Sequence, residues 1–138
     1  TTYGGAMRRA LERAGLDDIP ANGLYVLGGL AVTDEDVPLS VLIQDLRLSK
    51  QAAGQLVDTL VMRGYLERQV DPDDRRRLVV RLTERGAHAA AVQGKARDGV
   101  DAKLAERVSA DDIAAARRVL SALIDIAVEA RERAAEGS

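Results

Sequence analysis

The chain has 138 residues, 46% of them hydrophobic, with a formal net charge of −2, one His and no Cys. The lack of Cys excludes a disulfide framework, a thiol redox sensor and a thiolate metal site, and the charge balance excludes a polycation that holds nucleic acid through its bulk field. No apolar run approaches the roughly 20 residues needed to cross a bilayer, and no basic segment followed by an apolar one opens the chain, so a soluble, unsecreted, cytoplasmic protein is expected.

The apolar residues are mainly Ala, Leu and Val, with three Tyr and no Phe or Trp, a composition suited to closely packed helices. Residues 6–14 (AMRRALERA) are helix-prone, and Gly15 is placed to end that helix. A second helix is expected from near Pro20, a residue suited to a first helical position, with Leu24, Leu27 and Leu30 on one stripe. The polar segment 33–36 (TDED) reads as a loop. After it, Pro38 opens a short third helix that buries Leu39, Leu42, Ile43 and Leu46 and ends near Arg47.

Ser49 is a natural N-cap for the next helix, in which Ala53, Leu56, Val57 and Leu60 recur at helical spacing and Gly64 supplies the stop. The period then changes from 3.6 to 2. Residues 65–70 (YLERQV) and 77–82 (RLVVRL) alternate, placing Leu66, Arg68 and Val70 on one face of the first strand and Leu78, Val80 and Leu82 on one face of the second. The polar segment DPDDRR between them makes the pair a hairpin with a long charged tip.

Thr83 caps a long helix over about 84–107, with Val100, Leu104 and Val108 along one face. Ser109 with Asp112 starts the last helix, whose stripe is Ile113, Ala116, Leu120, Leu123, Ala127 and Ala130, and a polar end is expected to fray after about Glu132. Nothing further in the chain is left to cover these stripes, so pairing with a second copy is the economical solution, and a homodimer is expected. The fold class expected is mainly α with a small β-hairpin wing: a dimerisation helix in 1–19, a winged helix-turn-helix in 20–86 and dimerisation helices in 87–138.

A short helix, a tight turn, a second helix and a hairpin form the order of a winged helix-turn-helix, which presents its second helix to the major groove of double-stranded DNA. The stretch 48–86, LSKQAAGQLVDTLVMRGYLERQVDPDDRRRLVVRLTERG, is more specific. Its combination of Arg63-Gly64, the wing Asp71 to Arg76, and Leu82-Thr83 with Gly86 resembles the MarR family. That resemblance implies a transcriptional regulator, typically a repressor, acting as a homodimer on a palindromic site. It also implies relief by a small effector, often an aromatic or phenolic acid, bound between the wing domain and the dimer helices.

The residue chemistry agrees with a DNA surface. With the core stripe of the second helix turned inward, Lys50, Gln51, Gly54, Gln55 and Asp58 fall on the opposite face. Gln51 and Gln55 lie one turn apart, and a Gln amide matches the N6/N7 edge of adenine; the alternative is two solvated surface positions. Lys50 and Ser49, at the helix start, suit phosphate contact. By the resemblance, Arg75 at the wing tip is the arginine that enters the minor groove, with Asp74 orienting it or bracing the loop. Arg76 and Arg77 either line phosphates or pair with Asp71 and Asp73.

The acidic wing lacks the ligand register, central Gly and terminal Glu of a calcium loop, and His88, the single His, has no second ligand for zinc. No metal or cofactor is expected, and His88 reads as a surface or packing residue. There is no phosphate loop or nucleophile-base motif, so an enzyme is not expected. The remaining rival is a winged-helix module that binds protein instead of DNA.

Overall fold

The computed structural model describes residues 2–33 and 35–137, so Asp34, within the segment read as a loop, lies outside the described residues. Among the described residues, six helices and a three-stranded antiparallel sheet follow one another. They are α1 (Thr2–Arg13), α2 (Gly23–Ala31), β1 (Val37–Pro38), α3 (Leu39–Asp45), α4 (Lys50–Met62), β2 (Leu66–Val70), β3 (Leu78–Leu82), α5 (Glu84–Ala105) and α6 (Ala110–Glu136). The chain divides into two compact units, one up to Asp98 and one from Gly99 onward. Among the described residues no helix is long and apolar enough to cross a membrane.

The first unit is built on a continuous apolar core. Leu11, Leu16 and Ile19 meet Val26, Leu27 and Leu30 of α2, Leu42 of α3, Leu56, Val57 and Leu60 of α4, Tyr65, Leu66 and Val80 of the sheet, and Ala89 and Ala90 of α5. Leu27, Leu30, Leu42, Leu56, Val57, Leu60, Leu66 and Val80 are residues expected from helical or alternating spacing, because burying that stripe is the largest favourable contribution available to each element, whereas Leu16 and Ile19 enter the core from the loop after α1. Ala at positions 53, 89 and 90 lets backbones approach closely where a larger side chain would hold them apart.

Two prolines act differently from the expectation. The helix expected from Pro20 begins at Gly23 instead, because the Pro20 carbonyl accepts the Gly23 N–H in a turn at 2.9 Å and Asn22 is left-handed at φ 67°, a conformation a right-handed helix excludes. Pro38 does not open α3 from within it. Its backbone is extended (φ −56°, ψ 133°) and belongs to β1, where Val37 and Pro38 oppose Val80 and Val79. A residue without an N–H is tolerated there because β1 is an edge strand in the order β1-β3-β2.

That extra strand changes the hairpin into a three-stranded sheet with β3 at its centre. Leu66, Arg68 and Val70 oppose Leu82, Val80 and Leu78, in keeping with the alternation. Burial is not confined to that face, since Val79 is buried as well as Val80, while Val70 and Leu78, out toward the tip, are exposed. The central strand is covered on both sides, and its outer end extends beyond the core.

Helix ends follow their capping chemistry. The Ser49 hydroxyl accepts the Ala52 N–H at 3.1 Å, and the Ser109 hydroxyl accepts the Asp112 N–H at 3.1 Å. At the end of α4, Gly64 takes φ 83°, letting its own N–H reach the Val61 carbonyl and the Tyr65 N–H reach the Leu60 carbonyl. In the second unit α6 runs to Glu136, beyond the expected fraying point, and none of its residues is buried. Val119, Leu120, Leu123, Ile124 and Ile126 are each more than half exposed along it.

Candidate nucleic-acid interface

The turn between α3 and α4 is short because Arg47 takes a left-handed backbone at φ 55° and Ser49 caps α4 directly after it. Helix α4 then buries Ala53, Leu56, Val57 and Leu60, which leaves Lys50, Gln51, Gln55 and Asp58 exposed on the other side. The Ser49 hydroxyl is engaged by the cap, so any phosphate contact it makes uses its remaining hydrogen-bonding capacity.

The wing tip is organised by Asp71. Its carboxylate is almost fully buried, receives the Asp73 N–H at 2.9 Å, and is held through Oδ2 by the Arg77 Nε at 2.8 Å and Nη2 at 2.5 Å. The Asp71 N–H donates to the Arg77 carbonyl at 2.9 Å, closing the loop. The Asp73 N–H, then the Arg77 guanidinium, hold the Asp71 carboxyl below the usual carboxylate range, and the Arg77 guanidinium is correspondingly raised by its bond to Asp71. Asp74 braces the next turn, accepting the Arg76 N–H at 3.1 Å and the Arg76 Nε at 3.4 Å.

Arg75 stands apart in this arrangement. It is exposed, and among the described residues it has no hydrogen bond or ion pair. Arg68, Arg76, Arg77 and Arg81 each face a carboxylate, those of Asp58, Asp74, Asp71 and Glu67 respectively. Of the arginines on the wing, then, Arg75 is the one without an ion pair among the described residues. The sequence reading singled out neither Asp71 as the organiser of the tip nor the Asp58–Arg68 pair between α4 and β2. The first had a signal in the Asp-Pro turn, whereas the second joins residues that only the folded chain brings together.

A second polar cluster fixes where α4, the sheet and α5 meet. The Tyr65 hydroxyl donates to Asp18, the Arg85 Nη2 lies 3.1 Å from Asp18 Oδ1 and 2.9 Å from the Tyr65 oxygen, and Arg63 donates to the Asp18 carbonyl. The Arg85 guanidinium also sits 4.5 Å above the Tyr65 ring centroid. The Tyr65 hydrogen bond, with Arg85 and Arg63, holds the Asp18 carboxyl below its ordinary value of 3.8, and burial with the Asp18 bond pushes the Tyr65 hydroxyl up to about 12.

These shifts set a pH dependence. A depressed carboxyl stabilises the fold above its ordinary value, and that contribution is lost as pH falls through the lower folded value. A raised phenol stabilises the fold below 10, and that contribution is lost as pH rises through about 12. Urea midpoints measured across pH should therefore fall on the acid side below 3.8 and on the alkaline side between 10 and 12. Tyr65→Phe should flatten the alkaline limb and, because it removes the main hydrogen bond that lowers Asp18, weaken the acid limb as well; an alkaline limb unchanged in that variant would place its origin elsewhere.

A short helix, a tight turn, an exposed second helix and a charged three-stranded wing together define a winged helix-turn-helix protein. The family model described as MarR family matches residues 17–77, from the loop before α2 to the wing tip. Solved structures share the fold. FabT of Streptococcus pneumoniae in complex with DNA has a TM-score of 0.74 at 19% identity, covering 91% of this chain and 89% of that one. Wild-type MarR of E. coli in its apo form has a TM-score of 0.64 at 23% identity, covering 88% and 87%. A MepR mutant of S. aureus bound to an oligodeoxyribonucleotide has a TM-score of 0.62 at 19% identity, covering 89% and 88%. Among curated protein sequences no relative matches.

Proposed function

We propose that this chain is a sequence-specific, double-stranded-DNA-binding transcriptional regulator, acting as a homodimeric repressor on a palindromic operator. One observation carries the reading: the polar face of α4 with Lys50, Gln51 and Gln55 is exposed on the same unit as a wing whose tip arginine, Arg75, has no partner among the described residues. Buried or ion-paired groups would be structural, whereas these are free to meet base edges and phosphates. Ser49, Asp74, Arg76 and Arg77 complete the surface, Asp74 and Arg77 as braces of the wing. Structures of the same fold solved on DNA support the reading.

The dimer rests on the apolar residues of α6 in the second unit, Leu120, Leu123 and Ile124 among them, which this chain alone leaves in water. Two-fold symmetry of the protein then requires a roughly palindromic site. An aromatic acid-like effector has room in a cavity of about 640 Å³ in the first unit, lined by Met7, Leu24, Tyr25, Leu42, Gln93 and Arg97. Its wall pairs apolar surface and an aromatic ring with the Arg97 cation, and such a ligand would act by favouring one spacing of the two reading helices.

Capture of genomic fragments by the purified protein, followed by sequencing and by titration of the retained duplex across salt, tests the reading. An inverted repeat bound with steeply salt-dependent affinity is the expected result. Salt-insensitive or undetectable DNA binding would overturn it in favour of protein docking. Sedimentation should show a single dimeric species at low micromolar concentration, and a stable monomer there would remove both the dimer and the palindrome.

A further inference from the structure

Asp58 lies on α4 three residues beyond Gln55 and seven beyond Gln51, so the three share one stripe of the helix, the stripe assigned above to base contact. Its carboxylate is 59% exposed and sits 2.6 Å from Nη1 of Arg68, itself 37% exposed, on β2. An exposed ion pair adds little to folding stability, so stability does not account for a carboxylate placed on a DNA-facing stripe. Duplex DNA carries one negative charge per about 1.7 Å of axis, and a free carboxylate against that surface is repelled.

The geometry points to Asp58 as a specificity-determining residue that acts by withholding Arg68 from phosphates. The inference rests on the DNA-binding reading. Held by Asp58, Arg68 forms a neutral pair and contributes no net charge to DNA of any sequence. Random DNA is bound almost wholly through such charges, whereas an operator also gains base contacts from Gln51 and Gln55. Neutralising Arg68 therefore lowers non-specific affinity more than operator affinity, and discrimination rises by subtraction. The same logic runs through the wing, where Arg76, Arg77 and Arg81 are also paired and the chain as a whole is acidic.

The test uses the full chain, a random 30-base-pair duplex and the duplex retained in the capture experiment, each titrated between 50 and 200 mM salt. Asp58→Asn should tighten random-duplex binding and steepen the salt exponent by about 1.8 per dimer, one new phosphate contact in each subunit. Over that salt range the additional loss of random-duplex affinity amounts to about tenfold. The retained duplex should gain less, so the ratio between the two falls. Arg68→Ala alone should weaken random binding, because it leaves the Asp58 carboxylate unpaired against the phosphates, and Asp58→Asn with Arg68→Ala should abolish the gain and return random binding to about the wild-type level. Melting curves of each variant separate these effects from unfolding, and Asp58→Ala should reproduce the Asn result. Wild-type binding with an unchanged Asp58→Asn variant, or a gain that survives removal of Arg68, overturns this inference alone. Failure of the wild type to bind DNA overturns the DNA-binding reading and this inference with it.

Discussion

Gly86→Ala is expected to lower the stability of the chain by about 3 kcal/mol, a fall in melting temperature of roughly 10 °C for a protein of this length. A Cβ at Gly86 would stand 2.0 Å from the Tyr65 carbonyl oxygen and 3.1 Å from Cδ2 of Leu82. That carbonyl cannot withdraw freely, because it accepts the Thr83 N–H at 3.1 Å. The Thr83 hydroxyl in turn donates to the Gly64 carbonyl and accepts the Gly86 N–H, so it ties the exit of α4 to the start of α5. Relieving the clash means breaking that cap or moving α5 away from the sheet. The same substitution at Gly54, where nothing lies within 4 Å of the new atom, is the internal control and should stabilise α4 by up to about 1 kcal/mol. Parallel urea titrations check both. A Gly86 variant as stable as the wild type would show that α5 is not seated by this contact.

That contact also illustrates how far residue patterns reach. Ser49, Gly64, Thr83 and Ser109 were legible because capping and left-handed stops are local chemistry, decided within four residues of sequence. The apolar stripe of α4 was legible for the same reason. Pro20 and Pro38 were not, since a proline suits a turn, an edge strand and a first helical turn alike, and the choice among them lay in the Asn22 backbone and in pairing with Val79, 41 positions further on. Burial of both Val79 and Val80 likewise required β1, a two-residue strand with no periodicity to read. At the candidate interface, the exposed face of α4 followed from its buried face. The division of labour among the wing charges did not: six charged residues within the seven positions 71–77 allow many pairings, and only the folded loop commits Asp71 to Arg77 and Asp74 to Arg76. The Asp18, Tyr65 and Arg85 cluster joins residues up to 67 positions apart and left no local trace.

The pairing within the wing is what makes Arg75→Ala the most informative change at the interface. Each subunit of the proposed dimer would lose one charged contact in the minor groove, worth about 1.5 kcal/mol, and two such losses weaken operator binding by about a hundredfold. The loss should be larger where the flanks are A·T-rich, because a narrow groove concentrates negative potential on an inserted guanidinium. The salt exponent should flatten by roughly two units per dimer. Stability should not change, since Arg75 has no hydrogen bond or ion pair among the described residues. Arg77→Ala supplies the contrast: it strips the cation from the nearly buried Asp71 carboxylate, so it should loosen the wing and lower the melting temperature before any effect on DNA is considered. Binding titrations on duplexes with A·T-rich and G·C-rich flanks, run beside melting curves, separate the two roles. Destabilisation by Arg75→Ala comparable to that of Arg77→Ala would make Arg75 a structural partner of the acidic loop, and undiminished affinity on A·T-rich flanks would take it out of the groove.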